Sequence, residues 1–139
     1  MSSNWVKDIE DMHRKFGVHD WVDNQIKEGN SEKLQEFLQF RMRFLYEELS
    51  EMDIAVTERN PEEIVDALID LCVVAIGTLD SFGVDAYKAW DSVHTANMAK
   101  EPGVKETRPN PLGLPDLIKP DGWTGPDHSE NHGYITDAV

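Results

Sequence analysis

The run IVDALIDLCVVAI, Ile64 to Ile76, constrains this chain more than any other segment. Only Asp66 and Asp70 in it are not apolar. Its flanks are punctuated like a helix: Asn60 can cap the start, Pro61 suits the first helical position, and Glu63 stands where a capping-box acid would. Gly83, just past Phe82, suits the left-handed residue that ends a helix. A helix that is apolar nearly all round is a buried helix. The run is too short to span a bilayer, and two aspartates interrupt it. The sequence therefore predicts a core helix that carries two carboxylates into a bundle. Such carboxylates are costly unless they are paired or hold a cation.

The other segments supply partners for that helix. Trp5, Ile9, Met12 and Phe16 recur at helical spacing between Ser3 and Gly17 and predict a first helix. Val18 to Asn30, of mixed polarity, reads as a loop holding at most a helical turn. Leu34, Phe37, Leu38, Leu45, Leu49, Met52 and Val56 line one stripe of a long helix over about 31–58. Another helix runs from Asp85 to about Ala99, closed by Pro102 and Gly103. No convincing period-2 alternation occurs, so the expectation is all-α, a bundle of four to five helices. Residues 1–100 are expected to form the domain. Residues 101–139 hold Pro102, Pro109, Pro111, Pro115, Pro120 and Pro126, interleaved with Gly113, Gly122 and Gly125. They read as an extended arm rather than a second domain. Leu112, Leu114, Leu117, Ile118 and Trp123 favour an arm that packs.

The long helix and the apolar helix both carry acids on one face. Glu47, Glu48 and Glu51 fall within about one turn; Glu63, Asp66 and Asp70 follow at spacings of three and four. Arg59 is the only basic residue between Phe44 and Tyr87, so helical pairing cannot neutralise these acids. A solvated acidic face explains Glu47, Glu48 and Glu51 as readily as a site does, and Glu63 alone would serve as a capping acid. Asp66 and Asp70, embedded in the apolar run, favour a metal. Oxygen-only ligands select a hard cation, Mg²⁺ with Mn²⁺ able to substitute. His13, His19, His94, His128 and His132 have no ligand spacing with these acids and are expected to be surface or structural. The two acidic helices carry no Glu-x-x-His motif of a di-iron bundle.

Charge narrows the partners. The 139 residues include 13 Lys and Arg against 27 Asp and Glu, a net charge of −14. Such a surface repels a phosphate backbone, which argues against a nucleic acid polymer as ligand. A small anionic ligand is still accessible through metal ions. The lone Cys72 excludes an internal disulfide and a cysteine-rich zinc cluster. The N-terminus lacks the apolar stretch of a signal peptide, so a cytoplasmic location, away from membranes, is expected.

Taken together, EELSE, EIVDALIDLCVVAIGTLDSFGVD and DSVHTANMAK resemble the all-α nucleoside triphosphate pyrophosphatases, the MazG-like and phosphoribosyl-ATP pyrophosphohydrolase-like proteins. MHRKFG and IKPDGWTGPD resemble the opening helix and closing loop of short phage members. The resemblance implies a MazG-like bundle that oligomerises through its helices as a homodimer or homotetramer. It implies hydrolysis of a nucleoside triphosphate to monophosphate and pyrophosphate by metal-activated water, with a purine deoxynucleotide, dGTP or dATP, as the leading substrate.

The family signature is Glu-Glu-x-x-Glu followed by Glu-x-x-Asp. Glu47, Glu48 and Glu51 match its first part. The second fits Glu63 and Asp66 by spacing, or Asp70 by the apolar run leading to Gly77, with Ala67 then in place of the glutamate. All six acids stay candidate ligands, with Glu47 and Glu48 as candidate catalytic groups. Asn97 and Lys100 resemble the family's phosphate contacts. Phosphoribosyl-ATP is the alternative substrate, and a non-catalytic helical interaction module is the alternative of another class.

Overall fold

The computed structural model describes residues 1–108 and 110–139; Pro109, one of the prolines read into the arm, lies outside the described residues. The elements run α1 (Trp5–Lys15), α2 (Val18–Glu28), α3 (Ser31–Thr57), α4 (Pro61–Ser81), α5 (Ala86–Met98), β1 (Glu101–Gly103), β2 (Asp116–Ile118) and a short 3₁₀ helix (Gly133–Asp137). Five helices and one two-stranded ribbon make the fold all-α in character, as the MazG-like expectation requires. No single helix among the described residues is long and apolar enough to cross a membrane.

The chain forms two compact units, residues 1–86 with 132–139, and residues 87–131. In the first, α3 packs along α4, α1 lies on α4, and α2 fills the corner beside α3. Its core is Val22, Leu34, Phe82, Val84 and Ala138, flanked by Ile26, Phe37, Leu38, Leu79 and Ile135. Trp21 packs against Phe37 at 5.1 Å between ring centroids. Phe37 in turn meets the fully buried Phe82 at 5.6 Å.

The segment 18–30 corrects the sequence reading: it is a full helix. Gly17, at φ +77°, breaks α1 and lets the chain restart at once, and Gly29, at φ +68°, ends the new helix. Val22 and Ile26, four residues apart, supply a narrow apolar stripe that faces the core. Val18 continues the same stripe, but His19, Asp20, Asp23, Asn24 and Gln25 interleave with it, and that mixed polarity is what hides the helix in the sequence.

At the start of α4 the punctuation is as expected. The Glu63 N–H donates to Asn60 Oδ1 at 3.3 Å, and Pro61 opens the helix. Further along, α3 and α4 meet closely around Arg41. Its Nε donates to Thr78 Oγ1 at 3.0 Å, and its Nη2 to the Val74 carbonyl at 2.9 Å. Burial holds this guanidinium's pKa below its ordinary value. Gly77 makes the approach possible, because a Cβ there would stand 2.5 Å from Arg41 Nη2 and 3.0 Å from His13 Cε1.

A second correction concerns burial. The apolar run is not covered all round within one chain: Val65 is 62% exposed, and Leu68 and Ile69 are each 44% exposed. Asp66 is exposed and Asp70 only half-buried, rather than sunk in a bundle.

In the second unit, β1 pairs antiparallel with β2, Pro102 opposite Leu117. The buried Asp116 carboxylate accepts from the Arg108 guanidinium and from the Lys105 N–H, and these bonds hold its pKa below the usual carboxylate range. The Trp123 indole N–H donates to the Ala96 carbonyl of α5 at 2.7 Å. The Asp127 N–H donates to Ser92 Oγ, also on α5, at 2.9 Å. These bonds anchor the Pro-rich segment 120–127 on α5.

Candidate metal and catalytic site

Glu48 sits on α3 where that helix lies along α4, and its position organises the acids. Its Oε2 is buried and has no hydrogen-bond partner. Loss of solvation raises its pKa, and so do the charges of Glu51, Asp70, Asp66 and Glu47, in that order of effect. Five of the six carboxylates read from the sequence therefore converge electrostatically on one place, three from α3 and two from α4. Glu63 does not join them in acting on Glu48; it stands exposed in the first turn of α4, with its N–H on the Asn60 cap.

A buried carboxylate oxygen with no donor among the described residues, under the repulsion of four more carboxylates, is unfavourable as it stands. The donor set is all oxygen, and the one basic residue in this stretch of sequence, Arg59, is exposed at the α3–α4 turn. That chemistry suits a hard divalent cation, which would give the orphaned oxygen a partner and cancel the mutual repulsion. Glu47, Glu51 and Asp66 are exposed, so the group opens to solvent and is reachable by a large anionic substrate.

Of the two residues read as phosphate contacts, Lys100 donates its ammonium to Asn97 Oδ1 at 2.9 Å. The same ammonium lies 5.5 Å from the centre of the Trp123 ring, which Lys119 also faces, at 4.9 Å. Both residues belong to the second compact unit.

Residues 17–97 match the phosphoribosyl-ATP pyrophosphohydrolase family. The chain belongs to that family. With it comes membership of the MazG-like all-α nucleoside triphosphate pyrophosphatase superfamily. The matched segment runs from the corner before α2 nearly to the end of α5. It contains all six acids and Asn97, and stops short of Lys100 and the Pro-rich segment. No curated protein matches the chain significantly. Members of this family are pyrophosphohydrolases, hydrolases that typically depend on a divalent metal.

One constellation escaped the sequence reading. His13 of α1, His19 of α2 and Asp80 of α4 bring their donor atoms within 4.8 Å of one another. The expectation that the histidines are structural or on the surface rested on their lack of spacing with the acids. His13 and His19 are six apart across a helix boundary, and Asp80 is 61 residues beyond His19. Only the sharp α1–α2 corner, hidden while 18–30 was read as a loop, brings them together.

Proposed function

We propose that this family member is a Mg²⁺-dependent nucleoside triphosphate pyrophosphohydrolase, with Mn²⁺ able to replace Mg²⁺, that converts a purine deoxynucleotide, dGTP or dATP, to its monophosphate and pyrophosphate. The observation that carries the proposal is the buried Glu48 Oε2, without a hydrogen-bond partner among the described residues and within the electrostatic reach of four other carboxylates, in a chain of a pyrophosphohydrolase family.

Glu48, Glu51, Asp66 and Asp70 are the residues that would hold the cation. When bound, the cation neutralises the triphosphate, acidifies water and stabilises charge on the leaving pyrophosphate. Burial and the neighbouring carboxylates raise the Glu48 pKa above the ordinary carboxylate value, a penalty that a bound cation would relieve. Glu47, next to Glu48 and exposed, is placed to orient or deprotonate a water molecule. Glu63, exposed in the first turn of α4 with its N–H on the Asn60 cap, is the least favoured of the six as a ligand. Asn97 and Lys100 stay proposed as phosphate contacts; Lys100→Ala should raise KM with little change in kcat.

The description of the matched family favours phosphoribosyl-ATP as a second substrate reading. One experiment separates the two. Purified protein is offered a panel of ribo- and deoxynucleoside triphosphates and phosphoribosyl-ATP, with and without Mg²⁺, and both products are measured. Metal-dependent pyrophosphate and monophosphate release, fastest with a purine deoxynucleotide, is the expected result. Turnover of phosphoribosyl-ATP alone would replace the first reading by the second, and turnover of nothing in the panel would refute both.

A further inference from the structure

The His13, His19 and Asp80 cluster belongs to none of the chemistry above. His13 Nδ1 and His19 Nε2 both approach one oxygen, Asp80 Oδ2, at 2.8 and 2.7 Å. The two rings stand edge to face, their centroids 6.3 Å apart. His13 is buried, while His19 and Asp80 are part-exposed at an open cleft of about 440 Å³. Glu10, Asp20 and Asp23 also line this cleft, with Arg14 as its only Lys or Arg. Arg14 is engaged by Glu10 at 2.5 Å, so the mouth keeps an excess of negative charge.

We propose that this cluster is a second metal site, one for a borderline first-row divalent cation of the Zn²⁺ type, distinct from the all-oxygen site of the acids. Two imidazole nitrogens and one carboxylate oxygen are a donor set that zinc takes and Mg²⁺ does not favour. Tetrahedral zinc with bonds of about 2.1 Å sets its ligand atoms roughly 3.4 Å apart, so each imidazole would draw back from the Asp80 oxygen by about 0.6–0.7 Å, and all three donor atoms already lie within 4.8 Å of one another. The fourth position faces the cleft and is open to water. Burial holds the His13 pKa below its ordinary value, against the pull of Asp80. The Ser81 hydroxyl, which donates to the Gly77 carbonyl at 2.7 Å, stands 3.4 Å from His13 Nδ1. The metal would tie the α1–α2 corner to the last turn of α4, adding to the packing of α1 on α4 and the side-chain hydrogen bonds already there.

The test uses Co²⁺ as a coloured stand-in and Zn²⁺ as its competitor, on the full chain. Wild type should bind one Co²⁺ per chain with the intense visible bands of tetrahedral coordination, and Zn²⁺ should displace it. His19→Ala and Asp80→Asn should each lose the bands and weaken Zn²⁺ affinity at least tenfold, with helical circular dichroism retained. Having two variants guards against one that fails to fold. Glu48→Gln should keep the bands, which separates this site from the carboxylate site whatever becomes of the enzymatic proposal. The inference is overturned if tetrahedral bands do not form at millimolar Co²⁺. It is equally overturned if they survive both His19→Ala and Asp80→Asn, or disappear in Glu48→Gln.

Discussion

Glu48 concentrates the tension in this molecule. Its raised pKa means that the folded chain binds a proton there more readily than the unfolded chain does. Metal-free stability from this group is therefore fully present below the unfolded pKa and is lost as pH rises through the folded one. Glu48→Gln should remove that pH dependence, leaving the metal-free protein at pH 7 as stable as wild type or more so, and should abolish most of the stabilisation by Mg²⁺. Thermal melts at several pH values, with and without Mg²⁺, check both halves. For catalysis, Glu51→Gln and Asp70→Asn should each lower turnover by roughly 10²-fold, the scale of losing one electrostatic stabiliser of a transition state. If both keep near-wild-type kcat at saturating Mg²⁺, the carboxylate site is misassigned.

Between elements, the end of the chain is fastened to the end of α4 by a contact that only glycine permits. The Tyr134 N–H donates to the Phe82 carbonyl at 2.6 Å, and Tyr134 also packs over Gly83. Gly133 precedes it at φ +53°, and a Cβ there would collide with the Phe82 carbonyl oxygen, which is backbone and cannot step aside. Gly133→Ala thus combines a left-handed alanine with overpacking and should cost roughly 2–5 kcal/mol. Ile135 and Ala138 would then leave the core around Phe82. Limited proteolysis should cut the variant near residues 130–139 while wild type resists, and a wild-type melting curve for Gly133→Ala would contradict this account.

At the scale of the whole molecule, the uncovered apolar surface of α4 falls at the end where the acids gather. Val65, Leu68 and Ile69 are exposed there, and Leu49, Ile54 and Val56 are exposed on the C-terminal half of α3. So large an apolar surface is more than a solitary chain ordinarily leaves to water. The expected outcome is a homodimer or homotetramer in light scattering at micromolar concentration, shifted to monomer by Val65→Glu or Leu68→Glu. A monomeric wild type would exclude this. Assembly should also be linked to metal. Mg²⁺ at a hundredfold excess over its Kd should stabilise the wild type by about 2.7 kcal/mol. The charged variants should fall short if the covered face helps to gather the carboxylates.

The helices around the acids were legible in the sequence because their causes are local. A cap, a proline at the first turn, a terminal glycine and apolar spacing of three and four act within a few residues, so α1, α3, α4 and α5 fall within a residue or two of their expected bounds. The carboxylates of α3 share a face for the same reason, and so do those of α4, since helical pitch alone fixes it. Sequence also placed Glu63 at the head of its helix, and capping geometry is what separates it from the other five acids. Which oxygen is starved of a partner was not legible, because that depends on how α3 lies along α4. Nor was the meeting of His13, His19 and Asp80, which needs a left-handed glycine corner and a helix whose apolar stripe is masked by mixed polarity. Local spacing determined the elements and their faces. Tertiary structure alone decided which faces meet, because burial and Coulomb energy act between side chains that are close in space, whatever their separation along the chain.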